Sequence, residues 1–366
     1  MSPDRYADRR LRTLQAAEAA GLAGILVSPG PDLAYLTAYT PPPLERLTML
    51  VLSAGADPTL VIPTLERRLA ESAAGAPGLT MLDWRDGRDD PYGIVAAMLG
   101  PGRYAVTDRT WASHLLSLER AAPARSFVAT SEALPLLRAV KDPDEIGRLH
   151  AAGSAADAAF ADVIALPFAG RAETAVAVEL DRLLRKHGHQ RVDFTIVGSG
   201  PNAASGHHEP GRRRIQSGDA VVMDFGGVRD DYCSDLTRTV FVGEPSDEER
   251  EVYAIVLAAQ QAAFEAVRPG VAAQDVDRAA RTLITDAGYG DRFVHRTGHG
   301  IGLEVHEPPY IVEGDETALE PGMTFSDEPG IYLEGRFGVR IEDQVAVTAH
   351  GAERLNEASR ELTVVA

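Results

Sequence analysis

Cysteine is nearly absent: Cys233 is the only one in 366 residues. That excludes an internal disulfide framework and leads to the expectation of a reducing, cytoplasmic compartment. No apolar run approaches the length of a membrane span. Met1 to Arg12 is charged, without the apolar stretch of a signal peptide. Basic residues are scarce, 36 Lys+Arg against 54 Asp+Glu, for a formal net charge of -18. A nucleic-acid partner, whose phosphates need Lys/Arg neutralisation, is therefore not expected. What remains is an ordinary globular composition, 45% hydrophobic and 25% charged, in a chain long enough for two domains.

The N-terminal third alternates helical and strand patterns. Arg9 to Ala20 reads as an amphipathic helix stopped by Gly21. Gly24 to Val27, Leu47 to Leu52 and Thr59 to Ile62 read as buried strands. Tyr35 to Pro43, with three consecutive prolines, reads as a loop. Strands alternating with helices imply a small α/β domain ending near Leu137. The polar stretch Lys141-Asp-Pro-Asp-Glu145 then opens an alanine-rich helix reaching about Ile164. Domains of 1–137 and 138–366 are expected.

The second domain carries an internal repeat. Gly170 precedes a helix with Val176, Leu180, Leu183 and Leu184 on one face, stopped at Gly188. Gly270 precedes one with Val276, Ala280, Leu283 and Ala287, stopped at Gly288. A strand with Phe194, or with Phe293, is expected after each. His208-Glu-Pro210 and His306-Glu-Pro308 follow, then a glycine turn and a strand. Aligning Gly218 with Gly322 sets Asp224 on Glu328. Two similar α/β halves related by a pseudo-two-fold are expected, with a site between them taking a carboxylate from each.

Asp224 and Asp235 stand eleven residues apart around a turn placed at Gly226-Gly227 to Asp231, so a β-hairpin brings them together. Glu328 and Glu342 flank a second hairpin. Like charges facing each other in a core require a cation between them, and four carboxylates on paired strands suit a pair of divalent ions. His299, with glycines on both sides, is the nitrogen ligand candidate.

From Lys141 onward these strings resemble the pita-bread metallopeptidases: methionine aminopeptidase, aminopeptidase P and prolidase. The strings are Met223-Asp-Phe-Gly226, Ser234 to Thr239, Thr297-Gly-His-Gly-Ile-Gly302, Asp327-Glu-Pro-Gly330 and Gly338 to Asp343. Tyr35 to Tyr39 and Glu45-Arg46 resemble the creatinase-type N-terminal domain of the proline-specific members, with Ala38 where a glycine is usual. The resemblance implies an α/β fold with a small creatinase-type domain and a pita-bread domain of two halves. It implies two divalent metal ions, Mn first, with Co or Zn as alternatives. Asp224 would chelate one ion, Asp235 and Glu342 bridge both, and His299 and Glu328 complete the second. Glu328 would also handle the proton of the attacking water. His207 would steady the substrate or tetrahedral intermediate, and His306 would donate to the scissile carbonyl. His295 and Arg340 would support the ligands, and Thr237 would hydrogen-bond a bridging one.

The activity implied is hydrolysis of the bond before a proline in second position, by a homodimer acting on peptides. A creatinase-like non-peptidase, a binding-only relative and a methionine aminopeptidase are the weaker alternatives. Some short prolidases carry an arginine four residues after the position of His306, where this chain has Tyr310. That favours an Xaa-Pro aminopeptidase over an Xaa-Pro dipeptidase (prolidase), unless another arginine, such as Arg336, substitutes. His208, His187 and His189 are expected to be bystanders, the last two at a helix end or on the surface.

Overall fold

A computed structural model describes residues 3–366. The chain forms two compact units, one ending at Arg138 and the other running Ala139–Ala366. The first holds one six-stranded sheet. Its order is Thr80–Trp84, Thr59–Pro63, Met49–Ser53, Gly24–Val27, Gly102–Val106 and Arg125–Ala129. The Met49–Ser53 strand runs antiparallel to both neighbours, and the other pairings are parallel. The expected Tyr35 to Pro43 loop is shorter than the prolines suggest. Pro31, in the first turn, starts a helix over Pro31–Thr37 that takes in Tyr35. Ala38 ends it at φ 57, a left-handed conformation that favours glycine.

In the second unit the helix Pro143–Ile164 opens with a capping box between Asp142 and Glu145. The repeat is visible in the backbone. Gly170, Glu173 and Thr174 donate to the carbonyls of Ile215, Arg213 and Gly211; Gly270, Ala273 and Gln274 donate to those of Leu319, Thr317 and Asp315. Each set opens a helix, Glu173–Lys186 or Ala273–Asp286. Each helix packs into its own core. Val176, Leu180 and Leu184 meet Val221, Met223, Phe225 and Leu236 in the first. Val276, Ala280 and Ile284 belong with Phe325, Val339 and Val345 in the second. Burying one such side chain is worth about 1.5–3 kcal/mol.

One expected element differs. Phe293 lies on no strand; a short 3-10 turn at Gly290–Arg292 precedes it, and its ring packs under the Arg281 guanidinium. A backbone bond ties the two halves beside the future site: the N–H of Cys233 donates to the Gly302 carbonyl at 2.8 Å, and the thiol of Cys233 is buried. Among the described residues no helix is long and apolar enough to cross a membrane.

Candidate metal centre

The first hairpin joins Ala220–Arg229 to Tyr232–Val242. The strands run further than the glycines suggested, and the turn is Asp230-Asp231, both at positive φ. Asp224 is opposite Thr237, and Asp235 is opposite Gly226. Side chains alternate along a strand, so Met223, Phe225 and Leu236 enter the core of their half while Asp224, Asp235 and Thr237 share the other face.

Glu328 and Glu342 reach that face by a different route. Thr324–Asp327 pairs with Asp343–Val347, and Gly330–Leu333 pairs with Phe337–Arg340. The two glutamates fall in the gap between these ladders. Their N–H groups bond outside their own hairpin, Glu328 to the Thr297 carbonyl at 2.8 Å and Glu342 to the Thr237 carbonyl at 3.1 Å. His299 sits in the three-residue strand Gly298–Gly300. A Cβ at Gly298 would stand 1.7 Å from the Ser326 carbonyl oxygen, and one at Gly300 would stand 2.3 Å from that of Glu307. Only glycine lets the histidine strand lie this close to its neighbours.

Asp235, His299 and Glu342 each offer a ligand atom within 4.8 Å of the others, all three residues buried. His299 Nε2 is 3.2 Å from Glu328 Oε1 and 3.6 Å from Asp235 Oδ2. Its Nδ1 faces the Gly300 carbonyl at 3.2 Å, which fixes the ring and aims Nε2 at the carboxylates. Burial first, and then mutual repulsion with the other carboxylates, hold Asp235 and Glu342 well above the usual carboxylate range. Burial raises Asp224 as well, against the opposing pull of Arg340. Asp224 Oδ1 and Glu342 Oε1 are buried and have no hydrogen-bond partner. Their sister oxygens are taken, Asp224 Oδ2 by Arg340 and Glu342 Oε2 by Thr237. Lone buried oxygens beside an imidazole nitrogen are a donor set suited to divalent cations, which would reverse the cost of packing these acids together.

Arg340 organises the surroundings. Besides Asp224 it donates to Tyr332 Oη at 2.9 Å, to the Gly206 carbonyl at 3.0 Å and to Thr237 Oγ1 at 3.2 Å. Tyr332 in turn meets His295 Nε2 at 2.8 Å, and His295 Nδ1 donates to the Arg296 carbonyl at 2.7 Å. The Gly206 contact anchors the segment that carries His207.

A cavity of about 510 Å³ opens over the carboxylates. His207, Asp224, Asp235, His295, His299, His306, Glu328, Arg340 and Glu342 all line it, with Phe194, Ile196, Val294 and Val305 as its apolar wall. Thr237 stands behind it, through Glu342. The His306 and His299 rings lie 3.9 Å apart between centroids. Burial, with the charges of His299 and Arg296, lowers His306 to about 4, so it is neutral near pH 7.

Two expectations change, and two residues are added to the site. Arg336 is exposed and paired with Glu248, so it does not reach the cavity. His189 is not a surface residue: it is 3% exposed and meets Ser234 Oγ at 2.7 Å, next to Asp235. Tyr332 and Arg296, singled out by no motif, both line the cavity. Tyr332 reads as one more aromatic in a buried strand, and only its partners reveal it. His208 turns away to Glu173 at 3.0 Å, as a bystander should.

Residues 147–349 match the model of metallopeptidase family M24, and residues 9–140 match that of the creatinase/prolidase N-terminal domain. The probable dipeptidase PepE of Mycobacterium tuberculosis is 49% identical over 362 residues, 98% of this chain and 96% of that one. The Xaa-Pro dipeptidase of Lactobacillus helveticus is 38% identical, over 91% of this chain and 92% of its own. The crystal structure of dipeptidase PepE from Mycobacterium ulcerans superposes with a TM-score of 0.94 at 46% identity, covering 100% of this chain and 99% of that one. The chain belongs to metallopeptidase family M24, a family of hydrolases, and its second unit has the pita-bread fold.

Proposed function

We propose that this chain is a metal-dependent peptidase that cleaves the bond between an N-terminal residue and a following proline. The carrying observation is the cluster of Asp224, Asp235, His299, Glu328 and Glu342 at the floor of a cavity of about 510 Å³, with two buried carboxylate oxygens lacking partners. These five residues would hold two divalent ions, Mn first. When bound, such ions would supply activation of the attacking water and polarisation of the scissile carbonyl. The protein groups do the rest. Glu328 accepts the proton of the water, and neutral His306 donates to the carbonyl oxygen as charge develops on it. His207 steadies the tetrahedral intermediate. His295, Tyr332 and Arg340 hold the ligands in orientation. Phe194, Ile196, Val294 and Val305 supply an apolar wall for a proline ring.

Residues 138–366 would be the catalytic domain and 1–137 the accessory one, in a cytoplasmic homodimer. The aminopeptidase preference rested on Tyr310 standing where some prolidases carry an arginine. The names of the relatives favour the dipeptidase alternative instead, and Arg296, whose guanidinium stacks on the Tyr310 ring, leaves a cation at that position. The test is kcat/KM for Leu-Pro and Leu-Ala with each metal added back to chelated protein. Leu-Pro should be cut, and only with metal; Leu-Ala cut equally well would remove proline from the assignment.

A further inference from the structure

His306 has to meet a carbonyl oxygen, yet its own side chain is not tied down. Among the described residues its ring makes no hydrogen bond, and it leans on the His299 ring at 3.9 Å between centroids. Leu303 to His306 is neither helix nor strand. The next residue is held instead. Glu307 starts the strand Glu307–Ile311 and stands opposite Gly300 in the ladder. Its side chain does not line the cavity; it enters a buried ion pair. Lys141 Nζ donates to Glu307 Oε1 at 2.5 Å, and both side chains are 2% exposed. Lys141 is itself anchored. Its N–H donates to the Gly322 carbonyl at 2.8 Å and its Nζ to the Ala139 carbonyl at 3.2 Å. Asp142, next in the chain, caps the helix Pro143–Ile164. The pair lies against the bare Cα of Gly302: a Cβ there would stand 2.5 Å from Glu307 Oε1 and 3.0 Å from Lys141 Cε. Both ends of the loop that carries His306 thus close on one lysine.

We infer that the buried Lys141–Glu307 pair positions His306, by fixing the residue next to it in the chain, so that the imidazole meets the scissile carbonyl. The inference rests on the peptidase reading, in which His306 is the donor to that oxygen. Fold stability is a poor reason for the pair. Stripping water from two charges costs about as much as their attraction returns, so apolar side chains of the same volume would serve the fold as well. What apolar side chains do not supply is direction. A charged hydrogen bond from a held ammonium sets where the Glu307 carboxylate, and with it the Glu307 main chain, must lie. His306 is one peptide bond away. An effect through charge is the weaker route, because the two opposite charges largely cancel. The groups that shift His306 beyond burial are His299, Arg296, Glu328 and His207. Lys141 and Glu307 are therefore positioning residues.

The experiment uses metal-loaded protein and the double variant Lys141→Met/Glu307→Gln, which removes the pair without stranding a buried charge. The kcat for Leu-Pro should fall roughly 10- to 100-fold, the cost of slightly misplacing a reacting group, while KM and ion content stay near wild type. Lys141→Arg keeps the pair and should retain most of kcat. Glu307→Asp keeps both charges but shortens the arm; it should lower kcat, and it carries the test if the double variant does not fold. In a His306→Ala background the double change should cost less than about two-fold more, since its effect passes through His306. Wild-type kcat in the double variant, or an equal further loss in the His306→Ala background, would overturn the inference. Imidazole NMR signals of protein labelled at histidine Cε1 give a readout without turnover. The His306 signal, assigned by its absence in His306→Ala, should be single in wild type and shift or broaden in the double variant, while those of His187 and His208 stay. A His306 signal that does not move would also overturn the inference. If wild type does not cut Leu-Pro but the His306 signal moves as expected, the peptidase reading fails and the positioning of His306 stands.

Discussion

The Thr237 hydroxyl donates to Glu342 Oε2 at 2.5 Å, and the Glu342 N–H returns to the Thr237 carbonyl at 3.1 Å. This two-way bond stitches the first hairpin to the second half at the floor of the cavity. The same hydroxyl accepts from Arg340 Nε, so it fixes a carboxylate and a guanidinium at once.

Thr237→Val keeps the shape and removes the hydroxyl. Metal affinity should weaken by roughly 10- to 100-fold, the usual result of losing a hydrogen bond that orients a ligand. Stability of the metal-free protein should fall by only about 1–3 kcal/mol, the range for leaving a buried partner unsatisfied. Competition with a chromogenic chelator and urea unfolding separate the two effects.

Ion content is the direct check on the carboxylate cluster. Elemental analysis of the wild type should give two divalent ions per chain, and Asp235→Ala should lose at least one. Chelation should abolish turnover and lower the Tm, since ions that bind only the folded state stabilise it by mass action. Two ions retained by Asp235→Ala would remove Asp235 from the ligand set.

His306→Ala should keep its ions and lose turnover. The side chain lines the cavity without belonging to the closest ligand group. Deleting a donor to a developing oxyanion costs on the order of 10²–10³ in kcat. Wild-type kcat in the variant would reassign His306 to packing.

His189 predicts a pH effect on stability. Its Nδ1 meets the Leu184 carbonyl at 3.2 Å and its Nε2 meets Ser234 Oγ, an arrangement suited to the neutral ring. Burial, and then the charge of Arg229, lower it to about 4, against a partial opposing pull from the Leu184 carbonyl and Asp193. The unfolded chain therefore binds a proton near its ordinary value of 6.5, where the folded chain does not. This penalty is absent above about pH 6.5 and grows as pH falls towards 4, to roughly 3 kcal/mol. His189→Gln should remove it. Urea melts between pH 7 and 4 should show the wild type losing about that much more stability than the variant; parallel curves would count against the assignment.

Local rules carried much of the reading. Gly218 and Gly322 take the same left-handed turn, at φ 91 and φ 95, which is why aligning them also aligned Asp224 with Glu328. The carboxylates and His299 stood out because acids at the ends of apolar runs, and glycines around a histidine, are costly unless used. Tyr332 did not stand out, since its role depends on His295, 37 residues earlier in the chain. Arg296 was hidden in the same way, behind a ring on another strand. His189 looked exposed because helix ends usually are; the strand carrying Ser234 passes over it, and no periodicity announces that. The strand expected at Phe293 failed because an arginine stacked on the ring can hold an aromatic without any ladder.

Cys233 turns the seam between the halves into something that can be timed. Its thiol is 1% exposed, burial pushes it far towards the unreactive protonated form, and its own N–H holds the Gly302 carbonyl across the seam. A thiol reagent can attack only after that contact parts and water enters. With one sulfhydryl in the chain, the labelling rate is a single-channel clock for breathing of the active-site floor, free of background from other cysteines. Ions and product-like ligands should slow that clock to the extent that they hold the floor shut.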